Sequence, residues 1–193
     1  MTQLGKKILR NQLKLRRLEI SDKHTQDLNN RIVQHCLDLI PFDEIRSLHT
    51  YVPILSDNEI VSWQLLDYVW QIYPHVQTSV PKLNSFGKYD SVVVSPKTDW
   101  QTAEVRIPEP TNGEILATNS RFDVIVVPML GFDDYGHRLG HGLGWYDRFL
   151  ATQPRALTIG LSYEFGFVRS GLPHETHDVA LKYIVTEKSV RKF

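Results

Sequence analysis

The sequence predicts an α/β fold, a three-layer α/β/α sandwich around a largely parallel sheet, in a single domain over residues 1–193. Three observations carry this. Short β-branched runs alternate with helix-length amphipathic segments through most of the chain. Five of the eleven glycines crowd between the run at 124–127 and a helix-like segment at 145–150, where a sheet of this class binds its ligands. No stretch reads as a linker, a repeat or a low-complexity segment.

The elements follow in order. Residues 4–19 form a predicted helix in which Leu4, Ile8, Leu15 and Leu18 share an apolar side. Lys6, Arg10 and Lys14 recur every fourth residue and make a basic stripe. Such a stripe is either a solvated face or a phosphate-facing edge. Ser21 is placed to cap a second helix over 22–39, which Pro41 ends. Residues 45–52 read as a strand, and 53–58 as a loop. A helix over 59–73 buries Ile60, Leu65, Leu66 and Val69, with Trp63 and Trp70 as packing residues. A strand over 75–80 stops at Pro81, and 91–95 is a short β-branched run. Residues 96–120 look loop-rich, with Pro96, Pro108, Pro110 and Gly113. Runs at 156–161 and 183–186 complete the sheet.

Composition narrows the function classes. Net charge is zero, which argues against a protein that coats nucleic acid. No window approaches the roughly 18 apolar residues of a membrane span, and no apolar region follows the basic start. Cys36 is the only cysteine, so no intrachain disulfide forms. It sits in an apolar run and reads as a packing residue, and the chain is expected in the cytoplasm.

The glycine stretch carries the chemistry. It lacks the Gly-Lys-Ser/Thr of a P-loop, and Trp145 follows where the dinucleotide fingerprint needs another glycine. The pattern is Arg138-Leu139-Gly140-x-Gly142-x-Gly144-x-Tyr146-Asp147. Glycines let backbone N–H groups approach a phosphate, and Arg138 can contact phosphate oxygens in bidentate fashion. Asp147 offers a hard oxygen to Mg²⁺, which commonly binds one or two carboxylates plus substrate phosphates. The alternative is a tight turn with Asp147 as a helix-start charge.

The run from Gly131-Phe132-Asp133 through Gly136, Arg138-Leu139-Gly140, Gly142, Gly144 and Tyr146-Asp147-Arg148 resembles the signature of the 5-formyltetrahydrofolate cyclo-ligase family. Lys6 to Arg10, Tyr51-x-Pro53 with Glu59-Ile60, and Pro81-Lys82 are similar to other family motifs. So are Ile107-Pro108-Glu109-Pro110, Leu172-Pro173-x-Glu175-x-His177-Asp178 and Ile184 to Glu187. The resemblance implies MgATP-dependent conversion of 5-formyltetrahydrofolate to 5,10-methenyltetrahydrofolate through a phosphorylated formyl group. It implies ATP and Mg²⁺ as cofactors and a small folate, free or polyglutamylated, as the partner. It implies that Lys6, Lys7, Arg10 and the loop Arg138, Leu139, Gly140, His141, Gly142, Leu143, Gly144, Trp145 and Tyr146 bind ATP. Arg138 and Asp147 would be catalytic, Asp147 and Asp178 would hold the metal, and Ile54, Glu59 and Trp145 would contact folate. Read without the resemblance, Glu59 only charges the start of its helix.

Three residues depart from the family pattern. Leu143 stands where glycine or lysine is common, Trp145 replaces the first aromatic of a Tyr-Tyr or Phe-Tyr pair, and His141 fills a variable position. These departures support the alternative of a non-catalytic nucleotide- or folate-binding paralogue. The remaining histidines, His137, His174 and His177 among them, have no zinc-site spacing and read as polar loop residues.

Overall fold

A computed structural model describes residues 3–102, 107–142 and 144–193; Leu143 and the Leu4 side chain lie outside that description. In chain order the elements are α1 (Gln3–Leu18), α2 (Asp22–Leu39), β1 (Ser47–His49), α3 (Trp63–Ile72), β2 (Gln77–Leu83), β3 (Tyr89–Val94), β4 (Trp100–Thr102) and β5 (Pro108–Pro110). They continue with β6 (Val124–Pro128), β7 (Gly131–Phe132), β8 (Arg138–Leu139), α4 (Trp145–Ala151), β9 (Leu157–Leu161), β10 (Tyr183–Val185) and β11 (Val190–Lys192). Seven strands form the central sheet in the order β11-β10-β9-β6-β1-β2-β3. The four inner pairings are parallel, and β3 and β11 add antiparallel edges.

Alternation along β6 builds the layers. Val124 and Val126 face Leu28, Ile32 and Cys36 of α2 and Leu65 and Val69 of α3. Ile125 and Val127 face Phe122, Leu150 of α4 and Ile184. A strand buried on both faces reads as an uninterrupted apolar run, which is how 124–127 stood out. Cys36 is fully buried, and burial pushes its thiol up to about 12, so it packs as an apolar residue.

Several expectations are corrected by tertiary contacts. The apolar side expected of α1 faces outward: Ile8, Leu15 and Leu18 are at least half exposed. Leu9 and Leu13 pack instead against Leu130, Leu139 and Leu172, which turns Lys6 and Arg10 inward. The helix expected from 59 begins at Trp63. The residues just before it are held outside the helix by bonds to residues distant in sequence: Tyr51 Oη to Ile60 O, Val61 N to Asn29 Oδ1 and Ser62 Oγ to Tyr51 O. Those bonds outcompete the first helical turn, and Glu59 is therefore not a helix-start charge.

Pro81 does not end its strand, because β2 runs on to Leu83. The last register pair with β1 is His49 with Ser79, whose carbonyl accepts the Thr50 N–H. Pro81, two residues on, faces the same way past the end of β1, so its missing N–H breaks no ladder bond. The loop-rich 96–120 contains the paired β4 and β5, and β7 pairs with β8 inside the glycine stretch. The short β11 was not expected. Arg191 fastens it by two bonds to Glu164 and lies 4.9 Å from the Phe132 and Phe167 ring centres. Ser21 stands at the start of α2 with extended backbone, yet its hydroxyl makes no capping bond.

Candidate active site

A cavity of about 310 Å³ opens at the carboxyl ends of the parallel strands. Tyr51 and Val52 just past β1, Pro81 late in β2 and Pro128 at the end of β6 form part of its lining. At β1 and β6 the crossovers diverge: α3 leads from β1 to β2, and α4 from β6 to β9, on opposite faces. This is the crevice where open α/β sheets hold ligands.

The β7–β8 hairpin carries the glycine loop to the cavity and is pinned by Asp133. That carboxylate is almost wholly buried and accepts the N–H groups of Tyr135, His137 and Leu172 at 2.9, 3.1 and 2.8 Å, plus His137 Nδ1 at 3.1 Å. Burial pushes the Asp133 carboxyl up, and these donors more than reverse the effect, holding it below its ordinary value. The bond to Leu172 ties the hairpin to the segment bearing Glu175 and Asp178. His137 stacks on His174 at 4.0 Å, so both are occupied in holding the loops.

Several charged side chains in the cavity are paired with one another. Arg138 donates Nη1 to Val179 O and Nη2 to Asp147 Oδ1, and Asp147 Oδ1 also accepts the Val179 N–H at 3.2 Å. Burial pulls the Arg138 guanidinium below its ordinary value, while Asp147 and Asp178 oppose that pull. Lys6 Nζ lies 3.5 Å from Asp178 Oδ2 and 3.9 Å from Glu175 Oε1. Burial pushes the Asp178 carboxyl up, but the Glu175 N–H and the Lys6 ammonium hold it below its ordinary value. Arg10 Nε donates to Gly140 O at 2.9 Å. Its guanidinium lies over Gly142, whose φ of +99° suits glycine, and a Cβ there would meet Arg10 Cζ at 3.3 Å.

The second half of the cavity centres on Glu59, which is 4% exposed. Its Oε2 accepts the Ile54 N–H at 2.9 Å, and its Oε1 lies 3.1 Å from His141 Nε2. Tyr146 is partly buried close by, and desolvation together with the Glu59 charge raises its phenol well above the ordinary value, so it remains protonated. Trp145 stacks on Phe149 at 4.8 Å and meets Tyr89 at 5.2 Å, making an aromatic wall.

Of the residues singled out in the sequence, Lys6, Arg10, Ile54, Glu59, Arg138, Leu139, Gly140, His141, Gly142, Gly144, Trp145, Tyr146, Asp147 and Asp178 all line this cavity. Lys7 does not; it is exposed on α1. Leu143 lies outside the described residues. Tyr89, Glu109, Glu175 and His177 also line the cavity and had been given no role. Glu109, Glu175 and His177 were visible inside quoted motifs, whereas Tyr89 lies just before the run read as a strand.

The family model described as the 5-formyltetrahydrofolate cyclo-ligase family matches residues 2–187. The 5-formyltetrahydrofolate cyclo-ligase of Escherichia coli is 27% identical over 186 residues, covering 92% of this chain and 98% of its own. The protein of that name from Mycolicibacterium smegmatis is 30% identical over 152 residues, 74% of each chain. The solved structure of the Aquifex aeolicus 5,10-methenyltetrahydrofolate synthetase superposes with a TM-score of 0.81 at 28% identity, covering 97% of this chain and 92% of that one.

Proposed function

Because this chain belongs to the 5-formyltetrahydrofolate cyclo-ligase family of ligases, we propose that it converts 5-formyltetrahydrofolate to 5,10-methenyltetrahydrofolate at the expense of MgATP, in the cytoplasm. The observation that carries this reading is that one cavity gathers two sets of binding groups. Lys6, Arg10, Arg138 and the glycine backbone suit a polyphosphate. Glu59, with the aromatic wall of Trp145 and Tyr89, suits a flat, donor-rich heterocycle.

The chemistry needs charge control more than a protein nucleophile. The formyl oxygen attacks the γ-phosphorus of ATP and ADP leaves, giving an iminium phosphate. N10 of the folate attacks the activated carbon and gives up its proton. The C–O bond then breaks, and phosphate departs with the former formyl oxygen. Arg138 neutralises charge on the transferring phosphoryl group, with Lys6 and Arg10 on the remaining phosphates. Glu59 accepts hydrogen bonds from the heterocycle and so sets the formyl group in line.

The carboxylates present fit Mg²⁺. The lining holds five, Glu59, Glu109, Asp147, Glu175 and Asp178, against three Lys or Arg side chains. A polyphosphate entering such a lining requires a cation with it. Among the described residues no cluster of three or more ligating side chains forms, which suits an ion shared with phosphates and water. Asp147 and Asp178 would hold it, and the Asp147 bonds to Arg138 and Val179 use Oδ1. When bound, the ion supplies charge neutralisation on the phosphate oxygens.

The test follows formation of methenyltetrahydrofolate by absorbance, with and without ATP. Product that depends on ATP is expected. Arg138→Ala and Asp147→Ala are expected to lose roughly 100- to 1,000-fold in kcat while remaining folded. No product from the wild-type protein rejects the activity; tight binding of both ligands without turnover assigns a non-catalytic binding protein.

A further inference from the structure

We infer that His141 couples the nucleotide half of the cavity to the folate half by holding Glu59. This rests on the proposed reading of the cavity. Glu59 is a buried carboxylate, and such a group is oriented by whatever hydrogen bonds it accepts. One comes from the Ile54 N–H, five residues away in the same loop. The other comes from His141, 82 residues away in sequence. A carboxylate oxygen accepts, so His141 Nε2 carries the proton and donates.

His141 sits between the two glycines that α1 grips. Arg10 Nε holds the carbonyl of Gly140, and the Arg10 guanidinium covers Gly142. A continuous set of contacts therefore runs Arg10, Gly140, His141, Glu59. A polyphosphate that engages Arg10 and this loop fixes His141, and His141 in turn fixes the carboxylate that receives the heterocycle. Each carboxylate oxygen accepts two hydrogen bonds, so Glu59 can keep His141 and still take donors from the folate. His141 is thus a positioning residue, and its contribution is a coupling free energy between two ligands.

The experiment measures the Kd of 5-formyltetrahydrofolate by calorimetry, with and without a non-hydrolysable ATP analogue and Mg²⁺. It compares wild type with His141→Leu and His141→Gln. In the wild type the analogue is expected to tighten folate binding by about 5-fold or more. In His141→Leu the ratio is expected to fall below about 2-fold, and in His141→Gln to recover in part, because the carboxamide N–H restores a donor. A purely structural role would weaken folate binding equally in both conditions and leave the ratio unchanged. An unchanged ratio in His141→Leu overturns the inference, as does a wild-type ratio of one. So does tighter folate binding by His141→Leu in the absence of nucleotide, which would make His141 a competitor for Glu59. Failure of the wild-type protein to bind either ligand is a separate result: it rejects the functional reading, and the coupling falls with it.

Discussion

Two glycines in one loop should respond to the same substitution with opposite changes in stability. At Gly140 an added Cβ meets no atom of the described residues beyond its chain neighbours within 4 Å, and φ lies outside the left-handed region. Gly140→Ala should therefore fold as well as the wild type, or gain up to about 1 kcal/mol from a less flexible unfolded chain. Yet Gly140 lines the cavity. If its backbone approaches a phosphate, the methyl blocks that approach and loses a charge-assisted bond. Such a bond is worth about 1.5–3 kcal/mol, or roughly 10- to 100-fold in nucleotide Kd. At Gly142, φ is +99° and the Cβ would meet Arg10 Cζ at 3.3 Å. Gly142→Ala carries about 1–2 kcal/mol of backbone strain and shifts Arg10 from Gly140. For a chain of this length that is a fall of about 2–8 °C in Tm, together with weaker nucleotide binding. Calorimetric unfolding and titration with the ATP analogue measure both quantities. Gly140→Ala that binds nucleotide like the wild type would refute the loop as a phosphate cradle.

Other outcomes follow from individual contacts. Asp133→Asn should cost about 1.5–3 kcal/mol at pH 7, because three backbone N–H groups lose a charged acceptor. Since the Asp133 carboxyl is held below 3.8, its contribution is full above that pH and is lost as pH falls through the depressed value, so the two stability curves should converge in acid. Arg191→Ala removes the two bonds to Glu164 and the contact with two phenyl rings; a loss of about 2 kcal/mol, seen as a Tm lower by roughly 4–8 °C, is expected with kcat unchanged. Chelating Mg²⁺ should weaken nucleotide binding at least about 10-fold in the wild type, and Asp178→Asn should narrow that ratio in a binding titration.

The parts of the fold legible in the sequence were those decided by local burial. The runs at 124–127 and 156–161 are apolar because both faces of the sheet are covered, and they appear as β6 and β9. The second helix matched its expected 22–39 because its apolar spacing agrees with its packing. Where a long-range contact decides, the local signal misleads. The leucines and isoleucine of α1 suggested one buried side, but the packing of Leu9 and Leu13, with Lys6 on Asp178 and Arg10 on the Gly140 carbonyl, orients the helix another way. Pro81 ends a strand only if both neighbours are present, and β1 stops short of it. Glu59 and His141 were both singled out and assigned to different ligands, yet only the fold brings them to 3.1 Å. Residues at the cavity were legible as motifs; their pairing with one another was not, because partners such as Lys6 and Asp178 stand 172 positions apart.

That pairing explains how a cavity so rich in charge stays assembled before any ligand arrives. Removing a lone ion from water costs several kcal/mol, and a buried pair recovers this only with good geometry and further hydrogen bonds. Each principal carboxylate here has both. Asp147 holds Arg138 and accepts the Val179 N–H, and Asp178 holds Lys6 and accepts the Glu175 N–H. Glu59 holds His141 and accepts the Ile54 N–H. In every case the backbone donor is a second group beside the side-chain partner, so the carboxylate keeps one hydrogen bond when that partner turns to a ligand. A polyphosphate can then take Lys6 and Arg138, and a divalent cation can take the carboxylates they leave. Such an exchange would replace one set of opposite charges by another. Under the proposed function the ion pairs in the cavity would stand where the ligands bind, and the backbone N–H groups behind them would keep those places in register.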